Sequence, residues 1–467
     1  MNAYVIVKTI MNNKDFYKHV LRIAIPIMIQ NGITNFVSML DNIMVGQIGT
    51  NAMSSVAIVN QLMFVFNLCI FGGLAGIGIF TAQFYGRRNH DGVRSTFRLM
   101  VMAALILSLA GILVFRFFGP GLIGLYLHED GSTASIAETL TLAEGYMAVM
   151  MIGMIPFAFT QVYSSTLRST NETVVPMRAG IVAVLVNLIG NYILIYGKFG
   201  FPQMGVTGAA TATVLSRFVE LLLVGAWTHT HPDRNPFIVG AYSSFHVPAA
   251  LTKQCLIKGM PLLANEFLWS ASQATLSQTY SYRGLSVIAA FNISQTVGNV
   301  FNIAFIALGS ATGIIIGQEL GARHFDTVKK DAERITWFTV CLCIFMGILL
   351  YLISGIFPTI YNTSDEVREL ASSLIRVGAF CMPIYAYANA AYFILRSGGK
   401  TIITFLFDSC FCWAVSIPLA FFFVHFTDLP VAVLYLFVQL ADLIKCAIGF
   451  VLVKRGYWIN DMTQLTS

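Results

Sequence analysis

Three carboxylates, Asp41, Glu266 and Asp408, stand inside long apolar stretches of the 467-residue chain with no opposite charge at helical spacing. A carboxylate taken into hydrocarbon must find a distant cation, hold a proton or face a water-filled cavity. Each of these outcomes suits a group that binds and releases a cation, so all three are candidates for ion coupling. Asp41 closes the first apolar stretch, Glu266 lies eight residues past Lys258, and Asp408 eight past Lys400. Eight residues of helix rise about 12 Å. Two other pairs differ: Arg217 with Glu220, and Asp442 with Lys445, are three apart and share a helix face. Each pair is expected to neutralise itself and to be structural. Arg376 is an additional candidate, as distant partner to Glu266 or Asp408, and spacing does not choose between them.

The elements that must carry these groups follow from composition. Residues AVILMFWYC make up 57% of the chain, charged residues 11%, and the mean hydropathy is +0.73. Too few charges remain to cover a water-facing surface, whereas runs of about 20 apolar residues suit a bilayer. Twelve spans are expected, near 17–40, 52–82, 95–119, 138–162, 174–196, 206–229, 252–280, 286–318, 332–358, 368–393, 402–424 and 429–453. The stretch Met1 to Lys18 is polar and shows no removable signal peptide.

With both termini on one side, only Arg116, Lys198, Arg283 and Arg368 of the 28 Lys and Arg lie opposite them. Arg217, Arg376 and Lys445 fall inside spans, and all the others, from Lys8 in the N-terminal tail to Arg455, lie on the terminus side. That bias predicts a multi-pass protein of the inner or plasma membrane with cytoplasmic termini. It also explains the net charge of +6 without any nucleic-acid partner.

The eight cysteines lie mostly in apolar stretches and read as small apolar residues, so neither disulfides nor a metal site is expected. The histidines are mostly in loops, His128 among them, and only His229 and His231 are close in sequence. An integral membrane enzyme would need convergent His, Asp or Ser groups on one face, and no such set is legible. Individual Phe and Met residues are better read as packing and lipid-facing side chains than as a binding cavity.

The chain also repeats itself. Laid on itself without gaps, it superposes Pro26 on Pro261, Gly49 on Gly284, Phe66-Asn67 on Phe301-Asn302, and Gln83, Gly86, Arg88 on Gln318, Gly321, Arg323. A slightly smaller offset superposes Arg168-Ser169 and Thr173 on Arg396-Ser397 and Thr401. Two copies of six spans follow, entering the membrane in the same direction and related by an axis along its normal. The expected organisation is an N-terminal lobe over 1–228, a cytoplasmic linker over 229–250 and a C-terminal lobe over 251–467. The fold class is all-α, with twelve transmembrane helices in two pseudo-two-fold related bundles.

Pro26, the run Asp41-Asn42-Ile43-Met44-Val45-Gly46, Gln83-Phe84-Tyr85-Gly86, Leu167-Arg168-Ser169-Thr170, the stretch from Asn187 to Gly197 and that from Gly205 to Thr213 occur in order. In order and spacing the chain resembles the multidrug and toxic compound extrusion (MATE) family of antiporters. The resemblance implies a V-shaped pair of bundles and efflux of amphipathic, usually cationic compounds driven by H+ or Na+, with no other cofactor and a monomeric protein. It implies ion coupling at Asp41, with Asn187, Asn191 and Thr213 as polar partners on spans 5 and 6, and with Glu266 in span 7. Some members carry an Asp where Asn191 stands, and others an acid within span 10, where this chain has none past Glu369 at its start. The alternatives are a lipid-linked saccharide flippase of the same superfamily and, more distantly, a membrane enzyme.

Overall fold

Away from water each backbone N–H and C=O must be satisfied within its own segment, so long apolar runs become helices. The computed structural model describes residues 13–126, 133–361 and 363–466. Lys8 and His128 lie outside the described residues. Among the described residues the regular structure is wholly helical, with α1 (Asn13–Gly46), α2 (Thr50–Gly86), α3 (His90–Gly124), α4 (Thr133–Ser169), α5 (Val174–Tyr196) and α6 (Gly205–Thr230). Then follow α7 (Ala249–Ser281), α8 (Leu285–Gly321), α9 (Phe325–Ile353), α10 (Asp365–Ser397), α11 (Thr401–Phe426) and α12 (Val431–Arg455). Ten of these twelve are long and apolar enough to cross a membrane. The other two, α1 and α7, open the two repeats and carry Asp41 and Glu266. Their polar side chains lower the hydropathy that marks the other ten.

Two compact units divide the chain. The first contains Met1–Met28, Ala82–Arg88 and Met260–Ser467. Its core sets Phe16, Val20, Ile23 and Ile27 of α1 against Ala307, Leu308, Ala311 and Ile315 of α8, with Trp458 fully buried beneath. The ends of α2 and α8 cross so closely that a Cβ on Gly86 would stand 1.9 Å from the Gln318 carbonyl oxygen, and one on Gly321 1.8 Å from that of Gln83. Only glycine permits this reciprocal approach, and the four residues are the two copies of one repeated motif. Below it, Gln83 Nε2 donates to the carbonyls of Ser397 (2.9 Å) and Asn460 (3.2 Å), and its Oε1 accepts from Met462 N (2.8 Å). In α11 the backbone widens to π-helical turns over Leu406–Cys410 and Cys412–Ser416, and α12 is interrupted at Ala441.

The second unit contains Ile29–Thr81 and Asn89–Gly259. Its helices α5 and α6 are joined by a turn in which Gly197 takes φ +65°, where a side chain would also meet the Gln203 backbone at 2.9 Å. The expected linker segment lies within this unit. Phe237 is 2% exposed and contacts Phe97 of α3, while Arg98 donates to the carbonyls of Ala241 (2.8 Å) and Gly240 (2.7 Å) and Arg94 to that of Phe237 (3.2 Å). Three prolines mark this run as a connection in composition, and its backbone carbonyls are acceptors for two guanidinium groups on one helix face.

Candidate functional site

In the second unit α1, α5 and α6 bring four of the expected residues together. Asn187 and Asn191, one helical turn apart on α5, share a face. Asn191 Nδ2 donates to Asp41 Oδ1 at 2.5 Å and lies 3.4 Å from Asn187 Oδ1. Asn187 Nδ2 donates in turn to Thr213 Oγ1 at 3.0 Å. Asn191 is fully buried and Asn187 nearly so, and among the described residues no donor reaches Asn191 Oδ1. The Tyr196 hydroxyl fixes the end of α1 by donating to Met44 O (3.1 Å) and Gln47 Oε1 (2.8 Å). Arg217 pairs with Glu220 at 3.3 Å and is also within electrostatic reach of Asp41. Tyr146, whose hydroxyl donates to Asn60 at 3.2 Å, is within reach of the same carboxyl.

The first unit holds a second polar cluster. Asn265, 2% exposed, donates from Nδ2 to Asp408 Oδ2 at 3.1 Å, and its Oδ1 accepts from Ser409 Oγ at 2.7 Å. Lys445 Nζ lies 3.7 Å from Asp408 Oδ1 and 3.3 Å from Asp442 Oδ1. The pair expected within α12 therefore forms, but its lysine also serves Asp408 on α11. Glu266 is within electrostatic reach of Arg396 and Asp408. Arg376 is elsewhere: its Nε donates to Ser354 Oγ at 3.3 Å. Lys445, not Arg376, is the cation that Asp408 meets, in a region where α11 takes π-helical turns and α12 is interrupted.

Sequence reasoning passed over Asn265, which is neutral and stands beside the more conspicuous Glu266. A signal was available, since the offset that lays Pro26 on Pro261 lays Gln30 on Asn265. Gln30 is also a hydrogen-bonding residue, its Oε1 accepting from Arg168 Nη2 at 2.7 Å.

The MatE family model matches residues 26–193 and 261–441. Among curated relatives, the probable multidrug resistance protein YoeA of Bacillus subtilis is 24% identical over 419 residues, covering 87% of each chain. The probable multidrug resistance protein NorM of Thermotoga maritima is 24% identical over 422 residues, covering 89% of this chain and 87% of its own. Among solved structures, the outward-facing conformation of a multidrug resistance MATE family transporter of the MOP superfamily has a TM-score of 0.85. Its identity is 18%, over 94% of this chain and 95% of that one. A MATE structure in a bent conformation also reaches 0.85, covering 97% and 98%. At such identities the likeness speaks for the fold.

Proposed function

The chain belongs to the MatE family of membrane transporters, and from that premise we propose that it exports amphipathic, cationic, drug-like compounds across the cell membrane in exchange for protons. In this reading both termini are cytoplasmic and the two repeat halves rock to open a binding region to either side in turn. The relatives' names, multidrug resistance proteins, support drug-like substrates, and the polar network at Asp41 supports the coupling.

The observation that carries the reading is the amide of Asn191. Its Nδ2 donates to the Asp41 carboxylate, which satisfies the deprotonated form. Its Oδ1 is buried and receives no donor among the described residues, so it is the acceptor that a protonated Asp41 would use. A buried acceptor left unpaired costs about 1–3 kcal/mol, and Asp41 gaining a proton would relieve that cost by turning its hydroxyl toward Oδ1. The two protonation states thus bind the same amide through different atoms, with different packing of α1 against α5. Such a difference is what lets proton binding bias one transporter conformation over another.

The test is efflux from proteoliposomes under an imposed pH gradient and, separately, an imposed sodium gradient. Asp41→Asn should reach the membrane normally and lose proton-driven efflux. Wild-type rates in that variant, or efflux driven by sodium alone, would overturn the assignment.

A further inference from the structure

Three acids in the membrane helices of the first unit, Glu266, Asp408 and Asp442, meet two bases, Arg396 and Lys445, among the described residues. In the second unit the corresponding set is balanced, with Asp41 and Glu220 facing Arg168 and Arg217. The repeat shows one position at which the two copies differ. The offset that lays Arg168 on Arg396 also lays Arg217 on Lys445 and Gly180 on Asp408. A Cβ on Gly180 would stand 3.5 Å from Gln30 Nε2 and 3.7 Å from Glu220 Oε1. The same position in the other copy bears a carboxylate, and it is bonded to Asn265, the counterpart of Gln30. One copy therefore has an additional acid at a place where the other has only hydrogen.

Lys445 can neutralise one of its two carboxylates at a time. Its ammonium lies 3.3 Å from Asp442 and 3.7 Å from Asp408, with the Phe411 ring at 5.1 Å. The carboxylate that loses the lysine requires another positive charge. A metal cation suits it poorly, since the ammonium repels it and Asn265 Oδ1 is already engaged by Ser409. A proton needs no such ligands. Irregular backbone at this depth is tolerated where it lines a cavity, and both α11 and α12 lose regular α-helical form beside these residues. The other titratable groups within electrostatic reach of the cluster, among the described residues, are Glu266 on α7, Cys381, Tyr385, Tyr392 and Arg396 on α10, Cys412 on α11, and Tyr435 and Cys446 on α12. The phenols and the thiols carry no charge at neutral pH.

We infer that Asp408, Asp442 and Lys445 form a second proton-exchange site, separate from Asp41, at which the lysine passes between the two carboxylates as one proton enters or leaves. On entry an O–H bond forms on one carboxylate and the ammonium pairs with the other. On exit that O–H breaks and the ammonium is shared again. Its use in transport rests on the antiport reading above, whereas proton binding itself does not.

The test is an acid–base titration of the purified full-length protein in lipid nanodiscs, read as protons taken up and as the infrared carboxyl band, from mildly alkaline to mildly acidic pH. Asp408→Asn and Asp442→Asn should each remove the same single titrating component. The double substitution should remove no more than either alone, because the proton is shared. Lys445→Met should retain one further proton at neutral pH, and Lys445→Arg should keep the single titrating component. Two independent carboxyl substitutions guard against one that fails to fold. Wild-type uptake in both single variants, additive losses in the double variant, or loss of the same component in Asp41→Asn would overturn the inference. If Asp41→Asn transports normally while the shared component persists, the Asp41 assignment fails and this site stands.

Discussion

Replacing Gly86 by alanine would test the crossing of α2 and α8 directly. The new Cβ would stand 1.9 Å from Gln318 O, 2.6 Å from its carbonyl carbon and 2.7 Å from its Cα. All three are backbone atoms, so no side-chain rotamer can relieve the overlap. Carbon contacts settle near about 3.5 Å, which obliges the two helix ends to part by roughly 1.6 Å. Overpacking of this kind costs about 1–3 kcal/mol, and an obstacle made of backbone argues for the upper part of that range. Alanine recovers at most about 1 kcal/mol of helix propensity, and less at a last helical residue. A net loss of about 2 kcal/mol, some 30-fold in a folding equilibrium, is expected.

Gly321→Ala should cost about the same, since its Cβ would meet Gln83 O at 1.8 Å. The two costs should not add. Once one methyl has parted the helix ends, the second enters space already opened, and contacting sites commonly couple by about 0.5–3 kcal/mol. Thermal unfolding in detergent, read by a thiol-reactive dye, suits the chain because Cys255, Cys343, Cys381 and Cys412 are buried. Midpoints for the single variants equal to wild type, or a double variant lowered by the full sum, would refute this account of the crossing.

Two further outcomes are expected. Arg98→Ala removes the bonds to Gly240 and Ala241, so proteolysis should cut 239–246 faster while the transmembrane helices remain resistant. Burial alone would raise the Asp461 carboxyl, but hydrogen bonds from Thr463, Arg323 and Gln464 outweigh it and hold the group below its ordinary 3.8. A depressed carboxylate lends stability above its unfolded value that is lost as pH falls through the folded one. Residues 458–464 should therefore stay docked down to pH 3.8 and loosen below it, as hydrogen exchange would register, whereas Asp461→Asn should loosen them at neutral pH.

The helices were legible because hydrocarbon-length apolar runs are a one-dimensional signal, and the duplication because proline and glycine positions persist in both copies. Asp41, Asn187, Asn191 and Thr213 were legible as a group only through motif resemblance, although the one-turn spacing of the two asparagines supported it. The second cluster was only partly visible. Helical spacing found Asp442 with Lys445, but spacing within one helix cannot anticipate Asp408 on another. The docking of 232–247 was hidden for another reason, since Arg94 and Arg98 bind backbone carbonyls, which every sequence has.

The partners of Gln83 raise a question of timing during synthesis. Its side-chain oxygen accepts from Met462 N, 379 residues further along the chain. At about 5–20 residues per second, the ribosome delivers that donor on the order of 20–80 s after Gln83 itself. Its first partner, the Ser397 carbonyl, is made 314 residues after it, and until then the end of α2 is a membrane segment whose buried amide has none of its eventual partners. A nascent chain of this design therefore depends on the insertion machinery, or on interfacial water, to shelter one polar group until the last helices arrive.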